Sequence, residues 1–399
     1  MTGKSILIAA LSGRALADAA RRAGFVPLVV DAFGDEDTRA HAGALQCLES
    51  TTQTGFRHRP LLAALDALHR EAAQPVIGLV LGSGFEATPK LLVALAKRYP
   101  LLGNDAAAIA RSKNPATFFP LLEKLGIPHP KTCLEMPQDT TGWLSKRTGG
   151  SGGTHVMPCT SQTKARRGRY FQRLIKGTAL SVLAVAEYDR LHIVGISRQW
   201  CTETEPKPFR YGGAAGPFHP NKDVEAAMFA TVEAVSQALG LVGLLSFDFI
   251  LADGASYLLD VNPRPGATLD IFDDANGRLF LAHIAACTGE NITFPARPTP
   301  GARAAAILYA DQNPLTVNRL AWPNWVADRP RPGTRIPRAR PIATVSGDGA
   351  DATDAELKCR QRLDELAHML YGLPRNRERI NAEVYRAHSE RLSGSGQTR

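Results

Sequence analysis

Asp248, Asp260, Asn262 and Arg264 lie close together in the stretch LSFDFILADGASYLLDVNPRPG, residues 245–266. Strand alternation puts Ser246, Asp248 and Ile250 on one face and Phe247 and Phe249 on the other. Asp253-Gly254 is a turn signal. The return strand is expected to set Asp260, Asn262 and Arg264 on one face, with Leu259 and Val261 on the other. A hairpin centred on Gly254 brings Asp248 opposite Asp260. Facing side chains in such a pair lie ~4.5–5.5 Å apart, and like charges there are destabilising. Two carboxylates on one face therefore call for a cation between them. With the amide oxygen of Asn262 they make a hard, all-oxygen donor set that suits Mg²⁺, with Mn²⁺ as an alternative occupant. Arg264, one step along the same face, would meet negative charge on phosphate or substrate. The competing reading is a solvated edge hairpin with an acidic face.

A second group of residues points to phosphate. The segment WLSKRTGGSGGTHV, residues 143–156, reads as a strand carrying Lys146 and then the run Gly149, Gly150, Ser151, Gly152 and Gly153. Glycines after a strand let backbone N–H groups approach phosphates, and a lysine at the root adds a point charge. The lysine precedes the glycines, so this is not a P-loop; a flexible hairpin tip is the plain alternative. Lys113 sits between two helical stretches before Asn114-Pro115, where a surface lysine would be ordinary. Arg210 and Tyr211 belong to a PFRYGG segment read as a loop; Arg210 is a candidate to bind a substrate carboxylate, against an exposed loop arginine.

The chain that must position these residues has 399 residues, 44% of them hydrophobic and 21% charged, which fits two or three globular domains. No apolar run approaches a membrane span, the first residues lack a signal peptide's pattern, and the six cysteines are scattered without C-x-x-C; a cytoplasmic protein with reduced thiols is expected. The net charge of +9 is concentrated late, between Arg329 and Arg340 and from Arg375 onward. Neither segment interleaves aromatics, which argues against a nucleic-acid partner.

Near the start, strands at 5–10, 25–31 and 76–81, uniformly apolar and alternating with helices, indicate a parallel α/β unit. Ser12-Gly13 and Gly82-Ser83-Gly84 fall at strand ends, where such units bind ligands or simply turn. A hairpin at 170–186 (strand, Lys176-Gly177 turn, strand), a strand at 192–199, a helix at 224–239 and the acidic hairpin make a central α+β unit. Beyond 303 come a Pro- and Arg-rich stretch, a strand near 342–345 and a helix with Leu363, Leu366 and Leu370 on one face.

The landmarks LSKRTGGSGG and FDFI…YLLDVNPRPG, in this order, resemble the ATP-grasp superfamily over about residues 104–289. The resemblance implies an ATP-grasp fold, with an α/β pre-domain at 1–103, an ATP-grasp domain at 104–295 and a C-terminal extension at 296–399. It implies ATP and Mg²⁺ as cofactors, Lys113 and Lys146 on the phosphates, Gly149–Gly153 as a flap over them, and Gln172 to Ile175 as the linker strand whose backbone meets adenine. Asp248, Asp260 and Asn262 match the metal ligands, and Arg264 the catalytic arginine. Gln172 stands where relatives often have an acid, both metal-site acids are Asp where Glu is frequent, and Arg147 stands where many have Pro.

The implied activity is an ATP-dependent carboxylate–amine ligase acting through an acyl phosphate. The layout is similar to tyramine–glutamate ligases that build one-carbon carrier cofactors, which suggests small-molecule acid and amine substrates with glutamate as the acid. A kinase without an amine step and a non-catalytic ATP- or nucleic-acid-binding module are the alternatives. A homodimer is expected only because homo-oligomers are common.

Overall fold

A computed structural model of the chain describes residues 3–51, 54–292 and 301–372, with the single positions 380 and 384. The first unit is a parallel sheet of β1 (Ser5–Ala9), β2 (Val26–Asp31), β3 (Ala44–Cys47) and β4 (Val76–Leu81), in the order β3-β2-β1-β4. Helices cover both faces, so the strands are apolar throughout. Strand β3 and the helix His58–Arg70 were not singled out in the sequence.

Next comes a small antiparallel sheet, order β5-β8-β6-β7, built from β5 (Thr132–Cys133), β6 (Trp143–Arg147), β7 (Met157–Pro158) and β8 (Arg169–Arg173). The rest of the chain contributes β9 (Thr178–Ala186), β10 (Leu191–Cys201), β11 (Tyr211–Gly216), β12 (Gly243–Ala252), β13 (Ala255–Asn262), β14 (Ala302–Tyr309), β15 (Leu315–Thr316), β16 (Val326–Ala327), β17 (Arg335–Ile336) and β18 (Pro341–Gly349). Apart from the β15–β17 pair, these form one eight-stranded antiparallel sheet in the order β13-β12-β9-β10-β11-β14-β18-β16.

Three expectations change here. The stretch 170–186 is not a hairpin: β8 and β9 belong to different sheets, so residues 174–177 cross between them. Tyr211–Gly216 is a strand, because its small residues let β11 lie between β10 and β14. The C-terminal strands do not stand apart but extend the central sheet from β11 outward. The basic segment from Arg375 lies outside the described residues, apart from positions 380 and 384.

Packing fixes the acidic hairpin. The helix Lys222–Leu239 buries Val224, Met228, Val232, Val235 and Leu239 against Phe247, Phe249, Leu258 and Val261. On the opposite face, Leu183, Val185 and Leu244 pack with Phe280 and Ile284 and with Ala19 and Ala20 of the first unit. Buried Asn104 ties the unit to the hairpin's end: its amide donates to the carbonyls of Val242 (2.9 Å) and Pro263 (3.0 Å), and its oxygen accepts from Val242 N–H (2.9 Å). Replacing Asn104 with Ala strands these buried backbone groups. A loss of roughly 1–3 kcal/mol is expected by urea denaturation, since an unmade buried hydrogen bond costs about that much; unchanged stability would contradict the staple.

Candidate active site

The hairpin turns at Asp253 and Gly254, both at positive φ (49° and 76°). This tight turn pairs Ala252 with Ala255 and Phe249 with Leu258. Continued regularly, it would pair Asp248 with Leu259 and turn Asp260 toward the core beside Phe247. A register shift between Asp248 and Phe249 prevents this: Leu259 is the extra residue, and Asp248 pairs with Asp260. Leu259 accordingly lines the cleft, and Leu258 takes the core position with Val261 that alternation had assigned to Leu259.

The carboxylates have found partners. Lys113, the last residue of the helix Ala106–Lys113, donates from Nζ to Asp260 Oδ2 (2.7 Å) and Asn262 Oδ1 (3.2 Å). Asn262 Nδ2 donates to Asp248 Oδ2 (2.9 Å), and Gln199 Nε2 to Asp248 Oδ1 (3.2 Å). Burial, then the Asp260 charge, raises the Asp248 pKa above the ordinary carboxylate value. The donor set is all oxygen on one face, already satisfied in part by a cationic ammonium. It therefore fits a hard divalent ion held by Asp248, Asp260 and Asn262.

Opposite the hairpin, β6 carries Lys146, whose Nζ donates to Gln172 Oε1 (3.0 Å) on β8. Burial lowers the Lys146 pKa, while Asp260 and Asp248 act to raise it. The Gln172 amide donates in turn to Thr132 (3.2 Å). Lys113, Lys146, Gly149, Gly150, Ser151, Gly152, Gly153, Gln172 and Ile175 line one cleft with Tyr211, Asp248, Asp260, Asn262 and Arg264. Its volume is about 840 Å³. The glycine run is pinned as a cover. Gly152 O accepts from Tyr211 N–H (3.0 Å), a Cβ on Gly153 would collide with the Phe209 carbonyl, and a Cβ on Gly149 would lie 2.8 Å from Ala87 Cα. Gly149 and Gly153 also hold positive φ (67° and 72°).

Arg210 is not part of this group. It is fully buried, ion-paired through both terminal nitrogens with Asp311 (2.9 and 2.6 Å), and stacked 3.8 Å over Tyr309. The expected contact to a substrate carboxylate is overturned, because the guanidinium is consumed in joining β11 to the C-terminal strands.

Three contributors escaped the sequence reading. Glu86, just past the glycine turn after β4, accepts from Arg264 Nε (2.6 Å) and from the N–H groups of Gly84 and Phe85 (3.0 Å each). Burial alone would raise the Glu86 pKa, but Arg264, Lys113 and backbone hydrogen bonds bring it down to about 2. The Gly82-Ser83-Gly84 turn was the only sequence signal for it. Gln199 is one polar position in a long strand. His155, behind the glycines, is pushed down to about 4 by burial and by Lys146, which keeps it neutral near pH 7.

The family described as the ATP-grasp domain matches residues 114–268. The chain carries an ATP-grasp domain. Carbamoyl phosphate synthase large chains are curated relatives: those of Thermoanaerobacter pseudethanolicus and Myxococcus xanthus are each 24% identical, over 53% and 55% of this chain. In both cases the chain spans 22% of the relative's length. Among solved structures, L-amino acid ligase from Bacillus licheniformis aligns with a TM-score of 0.67 at 16% identity, covering 92% of this chain and 98% of that one. The ADP complex of N5-carboxyaminoimidazole ribonucleotide synthetase gives 0.66 at 16% identity, with the same coverage. The biotin carboxylase domain from Hydrogenobacter thermophilus, solved with MgADP, gives 0.69 at 12%, covering 92% and 90%. At these identities the likeness establishes the fold, ATP-grasp with an N-terminal parallel sheet. No described helix is long and apolar enough to cross a membrane.

The Glu86–Arg264 pair has a pH signature. A carboxylate whose pKa is depressed on folding stabilises above its unfolded value and loses that contribution as pH falls toward the folded value. Between about pH 4.5 and 2 the wild type should therefore lose stability more steeply than Glu86→Gln, as measured by urea midpoints across that range. Parallel curves would show that the pair carries no such charge.

Proposed function

We propose that this chain is an ATP-dependent ligase that joins a carboxylate to an amine through an acyl phosphate. The observation that carries it is the convergence, in one cleft, of Asp248, Asp260, Asn262 and Arg264 with Lys113, Lys146 and the glycine cover. Such a site neutralises and orients a triphosphate, which is most of what phosphoryl transfer requires. The relatives and structural neighbours named above, ligases among them, support the reading.

In this scheme a carboxylate oxygen of the donor attacks the γ-phosphorus, and ADP leaves with the electron pair of the broken P–O bond. The amine nitrogen then attacks the acyl carbon, loses a proton, and inorganic phosphate departs. Lys146, at the root of the cover, and Lys113, beside the hairpin, hold phosphate oxygens. Asp248, Asp260 and Asn262 would hold Mg²⁺, which would supply charge neutralisation at the phosphates. Arg264, aimed by Glu86, stabilises the acyl phosphate and the oxyanion formed on amine attack. Gly149–Gly153 keep water from the acyl phosphate, which would otherwise hydrolyse. The resemblance to tyramine–glutamate ligases puts glutamate and tyramine first among substrates.

The test is ADP release with Mg-ATP across a matrix of carboxylic acids and amines, with product mass measured. ADP release that needs both acid and amine, falling about 10²–10³-fold in Arg264→Ala, is expected, since losing one oxyanion-stabilising group costs that much. A stable phosphorylated product without amide would mean a kinase. No ADP with any pair would overturn the ligase.

A further inference from the structure

The two ends of the cleft differ in charge. The nucleotide end sets four cations, Lys113, Lys146, Arg147 and Arg264, against the two carboxylates Asp248 and Asp260. The other end is formed where three distant segments meet: the turn after β1 (Ser12, Arg14), the stretch following Arg264 (Thr268, Asp270), and Asp328 between β16 and β17. Arg14 donates to both oxygens of Asp270 (2.6 and 2.5 Å) and to both of Asp328 (3.2 Å each). One guanidinium thus serves two carboxylates, leaving an excess of negative charge.

The layering is unequal as well. The Arg14 side chain is 8% exposed, whereas Asp270 and Asp328 keep 22% and 21%. The cation is the more buried member; Asp328 Oδ1 also accepts from Ser12 Oγ (3.3 Å), and both carboxylates line the cleft. Two further acids lie behind them. Asp31 accepts from Gly13 and Phe33 N–H groups, and Asp35 caps Thr38. Burial, followed by the Asp328 charge, lifts Asp35 to about 6, which places these acids in one electrostatic neighbourhood.

Three of the neighbouring arginines are engaged elsewhere, and Arg39 reaches Gly34 O and Cys47 Sγ. Arg303 reaches only the Asp270 backbone carbonyl (3.3 Å) and pairs its charge with Asp348 (3.1 Å). Arg329 pairs with Asp37, and Arg22 with Asp18 and Asp273. A separate observation falls at the same place. Thr268 lines the cleft, is 5% exposed, and its Oγ1 has no hydrogen-bond partner among the described residues. A buried hydroxyl without a partner is uncommon and fits a ligand group that supplies one.

We propose that this end of the cleft is the acceptor subsite and that it selects a cationic amine, binding a primary ammonium group against the carboxylates of Asp270 and Asp328 and Thr268 Oγ1; the carboxylate that holds the ammonium takes its proton before the nitrogen attacks the acyl carbon. An ammonium has three donors and no acceptor, which matches three oxygen acceptors. Arg14 is a positioning residue that holds both carboxylates in place. The inference rests on the ligase reading and deepens it: the donor acid belongs near Arg264, and a positively charged acceptor approaches from the acidic side. Opposite fields at the two ends would keep acid and amine from exchanging places.

Binding without turnover tests this. Isothermal titration of the full chain would use 1,5-diaminopentane as the cationic probe and glutarate as its anionic counterpart of similar length. Wild type, Asp270→Asn and Asp328→Asn would be compared, with MgADP affinity measured on each sample to show that the site is folded. The diamine is expected to bind wild type and to weaken about tenfold or more in each variant, as for loss of one charged hydrogen-bond partner. MgADP affinity should stay within twofold. Equal diamine affinity in all three proteins, or a glutarate affinity that falls with the diamine's in the two variants, would overturn the proposal. A protein that binds the diamine but releases no ADP with any acid would sink the ligase reading and leave this subsite standing.

Discussion

The structure turns on two carboxylates held face to face. Asp248 and Asp260 are register partners in an antiparallel ladder, where like charges repel. The surrounding groups answer that repulsion. The helix Ala106–Lys113 ends with its lysine between Asp260 and Asn262, Asn262 bridges to Asp248, and Gln199 reaches Asp248 from β10. The hydrophobic side of the hairpin prevents any relief by turning. Phe247, Phe249, Leu258 and Val261 are all buried under the helix Lys222–Leu239, so the acidic face can only look into the cleft. A divalent cation, which the pair would hold, would turn an electrostatic cost into a binding determinant for phosphate.

The cleft exists because the chain changes sheets. β8 belongs to the small sheet with Lys146 and the glycine cover, β9 to the large sheet with the carboxylates, and residues 174–177 join them. The first α/β unit completes the wall. Its Glu86 holds Arg264, and Asn104, just past it, fixes Pro263 one residue before. The backbone of Glu86 and Ala87 also meets the first glycine of the cover. One short loop therefore touches both the arginine and the cover, which couples the placement of the two.

Local chemistry was legible in the sequence; long-range compensation was not. Asp248, Asp260, Asn262 and Arg264 sit on one hairpin, and Asp253-Gly254 announces the turn, so alternation nearly suffices. It placed Asp248 opposite Asp260 by centring the turn on Gly254. The structure reaches the same pair through a two-residue turn and a bulge at Leu259, and a bulge leaves no mark in a run such as YLLD. Arg210 was misplaced for a different reason. Its partners Asp311 and Tyr309 come from a block whose docking onto β11 no local pattern shows, and a buried paired arginine looks the same in sequence as a free one. Glu86 escaped likewise, since its partner Arg264 is remote in the chain. β11 passed for a loop because Gly212, Gly213, Ala214 and Ala215 carry no strand propensity of their own, and close packing between neighbours supplies it.

The central claim is that the paired carboxylates form a divalent-ion site for a nucleotide. Mn²⁺ binding followed by electron paramagnetic resonance in the presence of ADP tests it most directly, on wild type and on the double variant Asp248→Asn, Asp260→Asn. The account predicts a bound Mn²⁺ signal in wild type that depends on ADP and is lost in the variant, with the fold retained by circular dichroism. An equal signal in both proteins would contradict it.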